Sequence, residues 1–218
     1  MKRREFSLST ATALAASTVG LSATPAAWAQ AKKPQEGSDY IALDKRVAVE
    51  AAPGKVEVIE FFWYSCPHCN AFEPKLETWI KNLPKEIAFR RVPVAFNNSF
   101  VPQQKLYYAL EALGKVEAMQ RKVFYAIHVE KQQLARDEAI FEWVAKQGLD
   151  KEKFQIAYNF TAPKKAQKAT ELQDAYKVSG VPALGIAGRY YTDGSLAQSM
   201  ERALQVTEYL VAETRKTK

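Results

Sequence analysis

Cysteine and histidine are almost missing from this chain: each occurs twice in 218 residues. Four such side chains are a bare minimum for a structural zinc site, and His68, lying between Cys66 and Cys69, is poorly placed to bind a metal together with both. There is no internal repeat and no low-complexity tract. Beyond the first thirty residues no apolar run is long enough to cross a membrane. A strong charge imbalance is absent too. Lys and Arg number 31 against 24 Asp and Glu, a formal charge of +7. Apart from Lys32-Lys33, Lys164-Lys165 and the tail Arg215-Lys216-Thr217-Lys218 the lysines are scattered, which describes a solvated surface and argues against nucleic-acid binding.

What is present begins with an export signal. Met1-Lys2-Arg3-Arg4 is basic, a weakly apolar Ala/Ser/Thr/Leu/Val stretch follows, and Ala27-Trp28-Ala29 offers a small-x-small cleavage site before Gln30. Arg3-Arg4-Glu5-Phe6 fits a twin-arginine signal and fits an ordinary secretory one equally well. Either route places residues 30–218 outside the cytoplasm, where disulfides are made. Removing residues 1–29 takes away Lys2, Arg3, Arg4 and Glu5, so the charge falls from +7 to +5. The remainder suffices for one domain with a real core.

The pattern then predicts a short strand at Tyr40–Leu43, a strong strand from Lys55 to Phe62, and a helix from Cys66 to about Leu83 that contains Pro74. A strand over Ile87–Phe96 follows, then helical periodicity from Pro102 to about Tyr158, with Asp137 and Asp150 as helix starts. Lys164–Tyr176 reads as helix, Ala183–Ala187 and Tyr190–Thr192 as strands joined by Gly188-Arg189, and Leu196–Glu213 as a last amphipathic helix. This order describes a mixed sheet interrupted by a block of helices.

The two cysteines sit where the strongest strand turns into a helix, as Cys66-Pro67-His68-Cys69. Thiolate is the nucleophile of disulfide exchange, so a working site must lower one thiol pKa. Cys66 occupies the N-cap position, where its sulfur can accept from the amides of His68 and Cys69, and the helix dipole adds positive potential. Pro67 suits the first helical position, and His68 can add a donor or a charge. Cys69, one turn further in, becomes the resolving thiol. The rival readings are a structural bridge, which would close only a tiny loop, and a zinc half-site.

The run Glu60-Phe61-Phe62 followed by Cys66-Pro67-His68-Cys69 resembles the DsbA family of thioredoxin-fold disulfide oxidoreductases. The likeness spans nearly all of the chain after the signal. It implies an α/β thioredoxin fold, a mixed central sheet flanked by helices, with thioredoxin-like residues 30–98 and 164–218 around a helical insertion at 99–163. It carries over a low Cys66 thiol pKa, a cis-proline at Pro182 against the disulfide, and Val181 as the edge that pairs with an extended substrate peptide. It places Glu60 beneath the cysteines as a proton relay to Cys69, with Arg91 and Glu73 at charged positions. Lysine is the family's residue where Arg91 stands, and a merely structural Glu60–Arg91 pair is the alternative. Trp63 and Tyr64 are expected at the rim of the peptide surface, or for Trp63 in the core. Trp79 and Trp143 are expected in the core, and His128 outside the site.

The implied activity is periplasmic. The Cys66–Cys69 disulfide is donated to reduced exported polypeptides through a mixed disulfide, without cofactor or metal. The implied partner for reoxidation is a membrane quinone oxidoreductase of the DsbB kind, and the protein acts as a monomer. The competing functions are a reductase or isomerase, which would normally need a dimerisation domain that the short stretch before the main strand cannot supply, and a peptide holdase with a structural CxxC.

Overall fold

A computed structural model of the protein describes residues 32–216; the export signal expected at 1–29 lies outside them. Its centre is Val56–Phe62 (β2), seven residues buried on both faces. Five of the seven are apolar, and the two glutamates, Glu57 and Glu60, are buried with them. Pro67–Lys81 (α1) returns the chain to Ile87–Pro93 (β3), which lies parallel to β2 with Glu60 opposite Arg91. On the other side of β2 comes Ala183–Ile186 (β4), antiparallel, then Tyr190–Asp193 (β5) and the short Ile41–Ala42 (β1). The sheet order is β1-β5-β4-β2-β3.

Between β3 and β4 run Val101–Ala112 (α2), Val116–His128 (α3), Asp137–Lys146 (α4), Lys151–Ile156 (α5) and Ala162–Ala175 (α6). A π-helical turn at Ala157–Thr161 joins α5 to α6, so the chain stays helical across residues 163 and 164. Met200–Lys216 (α7) closes the chain. One apolar core packs the sheet against the inserted helices, around Phe61, Phe62, Leu106, Phe124 and Tyr158. A second packs it against α1 and α7, around Val58, Phe72, Leu76, Leu184 and Leu210.

Local differences from expectation have local causes. β3 stops at Pro93 instead of reaching Phe96, since its partner in the sheet, β2, ends at Phe62; the Val94 amide makes the last bond, to the Phe62 carbonyl at 2.9 Å. The β4–β5 hairpin turns on Ala187-Gly188, both with positive φ, and the Arg189 amide donates to the Ile186 carbonyl at 3.0 Å. These are the features of a type I′ turn. A Cβ at Gly188 would sit 2.1 Å from the Val47 carbonyl oxygen, so glycine is required there twice over. α7 begins at Met200 and not Leu196, because the Asp193 carboxylate draws the amides of Ser195 and Leu196 into a turn first.

Candidate active site

The site begins where β2 ends. Phe62 is the last paired residue, Trp63-Tyr64-Ser65 forms a turn, and the Cys66 amide closes it on the Trp63 carbonyl at 3.1 Å. Cys66 is the N-cap of α1 in an extended conformation (φ −79°, ψ 119°), and Pro67 takes the first helical position. Cys66 is 8% exposed and Cys69 fully buried, while Pro67 and His68 face solvent; both cysteines are free thiols.

The two sulfurs are driven apart. The Cys66 thiol is lowered from 9.0 to about 6, first by the hydrogen bond from Cys69, against the cost of burial, then by the amides of Cys69 and His68 and by the His68 ring. The Cys69 thiol is pushed far up, by burial first, then by Cys66 and the field of Glu60. One expectation changes in kind. The Cys66 sulfur makes no capping hydrogen bond of regular geometry, so the first-turn amides act on it as oriented dipoles rather than as a closed cap.

The Val181–Pro182 peptide bond is cis. β4 pairs Ala183 with Phe61, and continuing that register sets Pro182 opposite Phe62 and Val181 opposite Trp63, where the turn begins. The Cys66 Sγ donates to the Val181 carbonyl at 3.4 Å. Pro182 is buried and Val181 half-buried.

Beneath lies a charge cluster. The Arg91 Nε donates to Glu60 at 3.0 Å and its terminal nitrogen donates to Glu73 at 2.6 Å. Two buried carboxylates thus share one guanidinium, and one oxygen of Glu60 has no hydrogen-bond partner. The Glu60 carboxyl rises from 4.5 to about 8, by burial first and by Glu73, with Arg91 opposing. Glu73 is raised too, again by burial first.

Three side chains that no motif marks also reach the turn before Cys66. His128 Nε2 lies 2.8 Å from the Tyr64 carbonyl, Gln120 accepts from the Tyr64 hydroxyl at 2.8 Å, and Gln103 accepts from the Ser65 amide at 3.2 Å. His128, placed outside the site by its position on a helix, is therefore part of its support. Tyr64 is fully buried and cannot rim a peptide surface; Trp63 is half-buried and stacks on Phe100 at 4.1 Å. Trp143 is core, whereas Trp79 is only half-buried, with its Nε1 donating to Glu208. A cleft of about 540 Å³ lined by Val47, Arg90, Tyr108, Lys165 and Leu172 contains neither cysteine, so this hollow is not where the thiol chemistry sits. No cluster of three metal-ligating side chains occurs among the described residues.

Comparison with known proteins agrees with this geometry. A DSBA-like thioredoxin domain model matches residues 57–205. The chain is 41% identical over 186 residues to the thiol:disulfide interchange protein DsbA of Burkholderia cepacia, covering 85% of this chain and 88% of that one. It is 39% identical over 188 residues to the protein of the same name from Pseudomonas aeruginosa, covering 86% and 89%. The crystal structure of Pseudomonas aeruginosa DsbA superposes with a TM-score of 0.81 at 37% identity, over 86% of this chain and 97% of that one.

Proposed function

Because the chain belongs to the DSBA-like thioredoxin domain family, we propose that it is a disulfide donor to exported polypeptides in the periplasm. That it is a protein disulfide oxidoreductase with a thioredoxin fold follows from the family; direction, address, partners and residue roles are our reading. A substrate thiolate attacks the oxidised pair at Cys66. The Cys66–Cys69 bond breaks, Cys69 leaves with the electron pair and takes up a proton, and a mixed disulfide forms. A second substrate thiolate attacks the substrate sulfur and expels the Cys66 thiolate. The substrate loses two electrons and the protein dithiol gains them, so no cofactor is needed.

The observation that carries the direction is the split between the sulfurs. With Cys66 lowered to about 6, its thiolate is the dominant form at neutral pH, so the reduced protein is the favoured one. Cys69 keeps its proton and does not compete as nucleophile. Val181 and cis-Pro182 present the backbone edge that an extended peptide pairs with, His68 supports the thiolate from the solvent side, and Pro67 fixes the helix start. Glu60 is the relay that hands Cys69 its proton. Residues 99–163 act as an inserted helical subdomain on a thioredoxin-like frame of 30–98 and 164–218. Residues 1–29 direct export and are then removed. Reoxidation is assigned to a membrane quinone oxidoreductase of the DsbB kind, and the protein works as a monomer.

The deciding experiment compares unfolding of the oxidised and reduced forms. A donor is more stable reduced. A more stable oxidised form overturns the donor reading and favours a reductase.

A further inference from the structure

The geometry assigns His128 a positioning role for the Cys66 thiolate, exercised through the Tyr64 carbonyl. The inference rests on Cys66 being the nucleophile. Sheet pairing ends at Phe62, whose carbonyl accepts from Val94 at 2.9 Å, so the turn 63–65 has no strand beside it. Besides its own closure by the Cys66 amide on the Trp63 carbonyl, this turn is held by side chains from the inserted helices. His128, at the end of α3, meets the Tyr64 carbonyl at 2.8 Å. A carbonyl only accepts, so Nε2 must carry the proton there. Gln103 of α2 accepts from the Ser65 amide at 3.2 Å, donates to the Ser65 hydroxyl at 2.7 Å, and reaches the Leu134 carbonyl at 3.0 Å. Gln120 of α3 takes the Tyr64 hydroxyl at 2.8 Å.

The Tyr64 carbonyl lies two residues before the nucleophile, in a residue with no solvent exposure. Without His128 it becomes a buried acceptor with no donor, a state costly enough to turn the peptide. Turning it brings a negative dipole end toward the sulfur and moves Cys66 relative to the first-turn amides. Both changes weaken the thiolate. The inserted helices therefore tune the redox centre through a backbone contact, although their side chains take no part in sulfur chemistry.

Two measurements test this. Nitrogen NMR of the reduced wild-type protein should show His128 protonated at Nε2; a ring protonated only at Nδ1 overturns the proposal. Thiol titration and equilibration with glutathione are then compared for His128→Leu, His128→Gln and Gln103→Met. With Leu the Cys66 titration moves up and the glutathione equilibrium shifts toward the disulfide form by about fivefold, the size of one ordinary hydrogen bond. Gln, which can still donate, restores most of that shift, and Gln103→Met moves the titration in the same direction as Leu. A Leu variant with lower stability but an unmoved titration is merely structural and overturns the proposal. Should Leu fail to fold, an unmoved titration in Gln103→Met does the same. A wild type lacking any thiolate below the ordinary cysteine range would instead overturn the nucleophile assignment itself.

Discussion

The mouth of the site and the floor beneath it are both withdrawn from water, and they treat negative charge in opposite ways. At the mouth, burial raises the Cys66 thiol, yet the Cys69 thiol, two backbone amides and the His68 ring outweigh it and bring the thiol to about 6. At the floor, Glu60 and Glu73 divide one guanidinium, a Glu60 oxygen is left bare, and burial carries Glu60 to about 8. Desolvation has the same sign in both places. What differs is how many donors and positive dipole ends face each charge, and that decides which form of the acid is held.

The most severe way to break the contrast is to remove the charge at the mouth. Cys66→Ser should abolish disulfide transfer to a reduced, unfolded polypeptide, whereas Cys69→Ser, offered a disulfide-bonded polypeptide, should be held with it as a mixed disulfide through Cys66, visible on non-reducing gels. Retained transfer in the Cys66 variant would put the site among structural bridges. Next is the floor: Arg91→Met leaves two buried carboxylates without their cation. Breaking a buried ion pair from one side costs about 3–5 kcal/mol. Denaturant unfolding at pH 8 should show a loss of that order, shrinking toward pH 4 as both carboxyls protonate. A loss below about 1 kcal/mol would mean the cluster is wet and contributes like a surface pair.

How far the sequence foretells this contrast depends on range. The mouth is legible because its parts are contiguous: a buried strand, a turn, Cys66 at the cap, Pro67 behind it. Asp150 is legible for the same reason, its carboxylate accepting from the Lys153 amide three residues on. Asp137 misleads. It reads as a cap, but it is already the first helical residue of α4, and its carboxylate accepts from the Tyr158 hydroxyl at 2.5 Å. That partner lies on another helix, beyond any local pattern. The floor needed the resemblance to the family, since only the parallel register brings Arg91 beside Glu60. His128, Gln103 and Gln120 carry no signal at all: each reaches the turn across dozens of residues, and glutamine in a helix normally means nothing more than solvent.

Smaller effects sharpen the comparison through pH. A thiol whose folded value is depressed stabilises the reduced fold fully above the unfolded value and loses that contribution as pH falls through the folded one. For Cys66 the window runs from about 6 to 9.0. Cys69 works the other way. Raised in the fold, it adds stability below the unfolded thiol value and loses it at higher pH. The excess stability of the reduced over the oxidised protein should therefore climb between pH 6 and pH 9, by at most about 1.4 kcal/mol per unit, and decline beyond. A flat difference across that window would remove the stabilised thiolate from the account.

Glu60→Gln tests the floor without emptying it. In the wild type the unfolded carboxyl ionises near 4.5 while the folded one holds its proton to about 8, so folding stability drops as pH rises through that interval. Glutamine cannot ionise and keeps the side chain's size, and Arg91 retains Glu73 at 2.6 Å. The variant's unfolding midpoint should vary less than the wild type's between pH 4.5 and 8, and it should gain on the wild type at the upper end. Rapid-mixing kinetics then separate the two roles of Glu60. A relay predicts slower breaking of the Cys66–Cys69 bond by a small thiol near neutral pH, because departing Cys69 lacks its proton source. A structural pair predicts an unchanged rate with only the stability profile altered, and that result would retire the relay while leaving the contrast between mouth and floor in place.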